Sequence, residues 1–215
     1  STLHNTLFPY TTLFRSVFFV AITANHLDEF FRKRVGGLKR QAAAGVTTPP
    51  PDGRTPEEQL VLIQNAVNAL YDRLTGFWGE SLVPRLREAD VHILDYESLS
   101  PAQQAQADEH FRENIFPVLT PLAVDPGHPF PFLSNLSLSL AVTLHNPRRD
   151  TDQFARVKVP SNRDRWVPLD DPHHYVPLEQ IIAHNLDDLF RGMEITGVHP
   201  FRVTRNADVR RDEEE

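Results

Sequence analysis

The sequence predicts a helical bundle followed by an α+β domain, because the spacing of its apolar residues changes near Pro117. Before this point apolar residues recur every three or four positions, as in amphipathic helices. After it, apolar and polar residues alternate along Leu136–Leu144, which is typical of a β-strand. We therefore assign residues 17–115 to a helical N-terminal domain and residues 116–215 to an α+β domain. We expect the second domain to be truncated, because its pattern ends in RRDEEE without a closing element.

Residues 1–16 follow neither spacing clearly and join abruptly to the helical pattern that begins at Val17. They lack the basic start and the sustained apolar core of a signal peptide. The string resembles the peptide obtained when sequencing-adaptor DNA is translated by mistake. We interpret residues 1–16 as non-native or disordered, and the alternative is a divergent N-terminal loop.

The first predicted helix, His26–Gly45, carries an apolar stripe and an acid–base pair at i,i+4 spacing, Glu29 with Lys33. Asn25 is a reasonable N-cap for it. Gly36 and Gly37 interrupt good helix formers at a cost of about 1 kcal/mol each relative to alanine. We expect close packing against another helix to compensate for them.

Two further helices are predicted to begin at capping boxes, Thr55 with Glu58 and Ser100 with Gln103. The second domain then begins with a hairpin, in which the strand Leu136–Leu144 pairs with the alternating string FARVKVP. A helix follows over Leu178–Phe190, with Gly192 as its stop. A last strand is expected at FRVT.

Composition excludes several classes of protein. The chain has no cysteine, so disulfide scaffolds and thiolate metal sites are excluded. Its net charge of -7 argues against nucleic-acid binding, which usually requires a basic face. The longest apolar run is about half of the roughly 18 residues needed to span a bilayer. We expect a soluble cytoplasmic protein.

Motif searches give no catalytic residue and no metal site. There is no glycine-rich phosphate loop, no GxSxG and no HExxH. His173 and His174 are interpreted as solvated loop residues, with metal ligation as the alternative. Asp187 and Asp188 are interpreted as a solvated helix face, because neighbours on a helix point about 100° apart.

Two stretches have open interpretations. The basic residues of the first helix form a solvated face or meet phosphate groups; they are Arg32, Lys33, Arg34, Lys39 and Arg40. The stretch Leu119–Phe132 contains four prolines and favours a rigid, hydrogen-bond-poor connector, with a binding loop as the alternative.

Two long strings of the chain are highly specific, NHLDEFFRKRVGGLKRQ and FPVLTPLAVDPGHPFPF. The first resembles a signature of the N-terminal domain of the polyphosphate kinase family, and the second is similar to that family's junction into the head, or middle, domain. FARVKVP, VPLEQIIAHNLDDLF and FRVTRNAD follow in the family's order. The resemblance covers roughly residues 17–209.

The resemblance implies reversible transfer of the terminal phosphate of ATP to inorganic polyphosphate. It implies ATP or ADP as substrate, a phosphohistidine and Mg²⁺ in C-terminal catalytic domains beyond residue 215, and a homo-oligomer. This chain alone is then expected to be inactive. The alternative is a non-catalytic dimerisation or regulatory module of the same architecture.

One nucleotide ligand of the family falls within this chain. An asparagine before LDEF contributes to ATP binding in the family, and His26 occupies that position here, with Asn25 one step earlier. Either side chain can donate and accept a hydrogen bond. Phe19 falls where an aromatic ring could wall the adenine, and the alternative for Phe19 is a position in the core.

Overall fold

The computed structural model describes residues 3–46, 53–124 and 132–205 of the chain, and only the backbone of residues 3–10. These residues form two compact units. The first runs to Ala89 and the second comprises Asp90–Val203. A helical region followed by a mixed-sheet domain was predicted, and this fold class is confirmed.

The first unit is helical throughout. Its helices are α1 (Leu3–Phe30), α2 (Gly36–Ala43), α3 (Pro56–Gly76) and α4 (Val83–Glu88). Two π-helical stretches join them without a break in the helical path, Phe31–Val35 between α1 and α2 and Phe77–Leu82 between α3 and α4. Of the residues described, α2 packs on α3, and α1 contacts the second π-helical stretch.

The start of α1 differs from the sequence prediction. Asn25 was expected to cap a helix, but it lies inside α1, because residues 11–25 contain neither glycine nor proline to end the helix earlier. Residues 3–16 are helical here, although no helix was predicted for them. The origin of residues 1–16 stays a prediction.

Close packing of the pair Gly36 and Gly37 against another helix was predicted, and it is not found at Gly37. A methyl group built on Gly37 would meet no atom within 4 Å among the described residues. The helix therefore continues through Gly37 without compensation from a neighbouring helix at this point.

Both predicted capping boxes are confirmed. The Thr55 hydroxyl accepts from the Glu58 amide, and the Glu58 carboxylate accepts from the Thr55 amide at 2.8 Å. Ser100 and Gln103 make the same reciprocal bonds at the start of α5 (Pro101–His110). Each box satisfies two polar groups that a bare helix end would leave without partners.

The second unit is built on two sheets. Its strands are β1 (His92–Ile93), β2 (Leu122–Val124), β3 (Leu138–Asn146), β4 (Thr151–Lys158), β5 (Trp166–Pro168), β6 (His174–Pro177) and β7 (Glu194–Arg202). The larger sheet is antiparallel in the order β2-β4-β3-β7, and the smaller has the order β1-β6-β5. Its helices are α5 (Pro101–His110), α6 (Leu178–His184) and α7 (Leu186–Leu189).

The predicted hairpin is the β3–β4 pair, in which Leu140 is opposite Val157 and Val142 is opposite Ala155.

The predicted helix over Leu178–Phe190 is two short helices instead. They break at Asn185, whose side-chain amide donates to Asp108 Oδ1 at 2.8 Å and to the Ile181 carbonyl at 3.0 Å.

One apolar core fills the second unit. It joins residues after α5 to the sheet: Phe111 and Ile115 are fully buried in the same cluster as Leu140 and Val157. For this reason the compact units divide between Ala89 and Asp90, whereas the domain boundary was predicted between residues 115 and 116.

In the part of the chain that the structure describes, no helix is long and apolar enough to span a membrane.

Candidate functional site

The three predicted nucleotide-binding residues, Phe19, Asn25 and His26, all lie on α1 with exposed side chains. Phe19 is 65% exposed, so the interpretation of Phe19 as a core residue is wrong for this unit. An aromatic ring this exposed is available to a flat ligand, whereas a buried one is not.

Phe19 lies in an open groove of about 310 Å³ within the first unit. The groove is lined by Ser16, Phe19, Val20, Thr23, Leu74 and Phe77. The Thr23 hydroxyl donates to the Phe19 carbonyl at 2.8 Å, and the Ser16 hydroxyl donates to the Thr12 carbonyl at 2.9 Å. Because both hydroxyl groups donate to backbone carbonyls of α1, they are not free to donate to a ligand, and the groove offers mainly apolar surface.

Helix geometry distinguishes His26 from Asn25. His26 follows Phe19 by seven residues, so it lies on nearly the same face of α1, about 10 Å further along the axis. Asn25 is rotated by about 120° from Phe19 around the helix. The structure therefore aligns His26, and not Asn25, with the groove that contains Phe19.

The basic stretch after His26 is only partly neutralised. Lys33 donates to Glu29, which confirms the predicted i,i+4 pair, and this hydrogen bond lowers the pKa of Glu29. Arg32 Nε is buried and has no hydrogen-bond partner among the described residues. A phosphate role for these cations stays a prediction.

The predicted connector Leu119–Phe132 is partly a strand. Leu122–Val124 is β2, and it pairs with β4 from Leu122 opposite Arg156 to Val124 opposite Phe154. This part of the stretch is therefore hydrogen-bonded into the sheet, and the expectation of a hydrogen-bond-poor path is wrong there. Residues 125–131 lie outside the described part of the chain.

Of the histidine pair in the second unit, His173 is exposed as predicted, whereas His174 is half-buried at the start of β6. His173 Nδ1 lies 3.3 Å from Asp90 Oδ2, and His92 Nε2 lies 3.4 Å from Asp90 Oδ1. Hydrogen bonds from His173 and then His92 lower the pKa of Asp90. The rings of His92 and His174 stack with their centroids 4.4 Å apart.

The assignment of no metal ligand to this chain stays a prediction. In residues 3–46, 53–124 and 132–205 there is no group of three or more His, Cys, Asp or Glu side chains placed to hold an ion.

A second depression, of about 310 Å³, lies wholly within the second unit and was not found from the sequence. It is lined by Val118, Thr120, Leu122, Arg156, Lys158, Pro160, Ser161 and Asn162. The signal was present in FARVKVP, where two cations alternate with the apolar residues Ala155 and Val157.

Comparison with protein families accounts for nearly the whole chain. The family described as the polyphosphate kinase N-terminal domain matches residues 2–94, and the polyphosphate kinase middle domain matches residues 102–215. The chain belongs to the polyphosphate kinase family. The N-terminal match begins inside the segment interpreted as non-native.

Individual family members agree with this assignment. The chain is 48% identical over 209 residues to the polyphosphate kinase of Parasynechococcus marenigrum, covering 93% of this chain and 29% of that protein. It is 44% identical over 210 residues to that of Mycobacterium tuberculosis, covering 91% and 28%. This chain therefore spans less than a third of the length of these relatives.

A solved structure has the same architecture. The crystal structure of polyphosphate kinase from Porphyromonas gingivalis superimposes with a TM-score of 0.77 at 26% identity, covering 90% of this chain and 29% of that one. The resemblance seen in the sequence is thus confirmed at the level of both family and fold.

Proposed function

We propose that the complete protein is a polyphosphate kinase that reversibly transfers the terminal phosphate of ATP to inorganic polyphosphate. The observation that carries this proposal is the match of two successive family domains to one chain in the family's order. In this proposal the chain contributes the N-terminal and middle domains. A cytoplasmic location is part of the same proposal, because ATP is the proposed substrate.

The chemistry proposed is a double displacement. A histidine nitrogen attacks the terminal phosphorus of ATP and ADP leaves; the terminal oxygen of polyphosphate then attacks the same phosphorus and the histidine leaves. Cationic groups, together with Mg²⁺ when it is bound in the complete protein, would offset the charge of the transferring group. We assign neither the phosphohistidine nor the metal site to this chain, so the chain alone is expected to be inactive.

The proposed part of this chain in catalysis is to position the nucleotide on α1. The exposed ring of Phe19 and the apolar groove around it suit an adenine ring. His26, about 10 Å further along the same helix face, could then hydrogen-bond a more polar part of ATP. Asn25 remains the alternative ligand, and its position around the helix makes it the weaker candidate.

Variants of the full-length protein test this arrangement, with ATP consumption and polyphosphate growth as readouts. We expect His26→Ala and Phe19→Ala each to raise KM for ATP about tenfold with a smaller change in kcat, because each removes a binding contact made before chemistry. Phe18→Ala is the matched control for Phe19→Ala, and Asn25→Ala tests the alternative ligand beside His26; both remove exposed side chains of α1.

Equal effects of Phe19→Ala and Phe18→Ala on KM would contradict the placement of adenine at Phe19. A rise in KM with Asn25→Ala and none with His26→Ala would assign the ligand role to Asn25 instead. Neither result would bear on the family assignment.

Self-association belongs to the same proposal. The family resemblance implies a homo-oligomer, and the first unit exposes large apolar side chains that a partner subunit could cover, among them Phe18 at 55% exposure. Sedimentation of the full-length protein should give a dimer or larger species. A monomer at all concentrations would contradict this part of the proposal.

A further inference from the structure

The second depression lies on the side of the larger sheet that faces away from the core. Along β4, Ala155 and Val157 are buried in the apolar core, so Arg156 and Lys158 project from the opposite face. Arg156 is opposite Leu122 of β2 and Ala141 of β3, and it therefore lies on a paired strand and not on a loop.

Arg156 is buried, and no described residue supplies a counter-charge to it. It is only 5% exposed, and its Nε donates to the Ser139 hydroxyl at 3.1 Å. Within the described part of the chain it has no ion pair with a carboxylate. Burial lowers the pKa of Arg156, because desolvation disfavours a cation that no nearby anion stabilises. Buried arginines are normally paired, so this one calls for an anion.

Lys158 places a second cation beside the first. It is two residues further along the same strand face, about 7 Å away, and is directly opposite Ser139. No Asp or Glu is among the described residues that line the depression. The two cations repel each other there, and an anion bound between them would relieve both the repulsion and the burial cost of Arg156.

The remaining polar groups of the depression are hydrogen-bond donors for such an anion. Thr120 and Ser161 contribute hydroxyls and Asn162 contributes an amide. The bond from Nε to Ser139 fixes the guanidinium plane and leaves its two terminal nitrogens for a ligand. A guanidinium fork, an ammonium group and hydroxyls together suit a tetrahedral oxyanion with several acceptor oxygens.

We propose that this depression binds a phosphate oxyanion, held by Arg156 and Lys158 on the outer face of the sheet. The ligand is either free inorganic phosphate or one residue of a longer phosphate chain. The proposal that free phosphate binds depends only on the geometry of the depression. The proposal that a phosphate chain binds rests on the proposed function.

Calorimetric titration of the 215-residue chain tests the site, first with orthophosphate and then with tripolyphosphate. We expect Arg156→Gln to weaken binding about tenfold or more, because hydrogen bonds to a charged group are lost. Lys158→Gln should weaken it about three- to fivefold, as for a more exposed charge. Arg148→Gln removes the same charge from the exposed β3–β4 turn and should leave binding unchanged.

Arg156→Met provides a control for folding. It removes a buried cation from a site that has no anion, so in phosphate-free buffer its melting temperature should equal or exceed that of the wild type. Phosphate should raise the melting temperature of the wild type but not that of Arg156→Met. Ser139→Ala keeps the charge of Arg156 but removes the hydrogen bond that orients its guanidinium group. This variant should weaken phosphate binding less than Arg156→Gln does.

The two ligand sources give different results. A free-phosphate site should bind orthophosphate and tripolyphosphate with similar affinity, whereas a site for a phosphate chain should clearly prefer tripolyphosphate. Absence of binding by the wild type, or equal binding by Arg156→Gln and Arg148→Gln, would overturn the proposal. If this chain binds phosphate but the full-length protein transfers none, the proposed function is contradicted and the proposal for this site is supported.

Discussion

The two units of this chain differ in how they bury apolar residues. The second unit has a continuous buried cluster that joins both sheets to α5 and α6, and many of its members are fully buried. The described part of the first unit has few buried apolar side chains, chiefly Val35, Leu38, Val67 and Leu82. Meanwhile Phe14, Phe18 and Phe19 are more than half exposed.

This difference indicates that the units obtain stability and function in different ways. The second unit is stabilised by its core, so its phosphate pocket is built on a rigid sheet. The first unit depends more on local helix interactions and leaves apolar surface for ligands or for other subunits. The nucleotide residues that we propose belong to the unit with the smaller core.

The largest expected effect is on the free energy of unfolding, and it is seen by comparing two phenylalanines that each begin a π-helical stretch. Phe111 is fully buried and Phe77 is 41% exposed. Phe111→Ala should lower the free energy of unfolding of the second unit by about 3–5 kcal/mol, because it leaves a cavity in the core. Phe77→Ala should cost about 1 kcal/mol or less. Urea unfolding followed by circular dichroism measures both, and similar costs would show that the units do not differ as described.

A smaller effect is expected from pH, and it is confined to the second unit. Burial, and then the hydrogen bond that Tyr96 donates to Asp108 Oδ1 at 2.6 Å, raise the pKa of Tyr96 from 10.0 to about 12. The unfolded chain ionises first, so this stabilisation is complete below pH 10 and is lost as pH rises towards 12. The loss should amount to about 2–3 kcal/mol.

Unfolding measured at intervals from pH 8 upwards, for the wild type and for Tyr96→Phe, checks this. The difference between the two proteins should shrink steadily above pH 10. A difference that is constant with pH would mean that Tyr96 ionises equally in the folded and unfolded states.

The smallest expected effect is a gain in stability in the first unit. Gly37→Ala should stabilise it by about 0.5–1 kcal/mol, because α2 tolerates a methyl group there and alanine has the higher helix propensity. The matched control is Gly192→Ala, which should destabilise the second unit, since Gly192 has φ of +80°. Melting temperatures report both changes. Destabilisation by Gly37→Ala would show that Gly37 is tightly packed after all.

Local signals in the sequence predicted local structure well. The capping boxes at Thr55 and Ser100 and the β3–β4 hairpin depend on neighbouring residues, and each is present as expected. The start of α1 was missed because Asn25 carries a capping signal that the uninterrupted helix around it overrides.

Features that depend on tertiary packing were not predictable from the pattern. Ser100 begins a helix whose continuation carries Phe111 into the core of the sheet, and no local signal shows which unit that side chain joins. Arg156 stands at an ordinary outward position of a strand, and only the fold shows that it is buried with no carboxylate partner among the described residues. On α1, helical spacing alone relates His26 to Phe19 once the helix is known to be continuous.

The most direct test of the account is incubation of the purified full-length protein with ATP, Mg²⁺ and a short polyphosphate primer, followed by measurement of chain length on gels and of ADP release. We expect longer phosphate chains, with one ADP formed for each phosphate added, and the reverse reaction when ADP and polyphosphate are supplied. Release of free phosphate from ATP without chain growth, or no consumption of ATP, would contradict it.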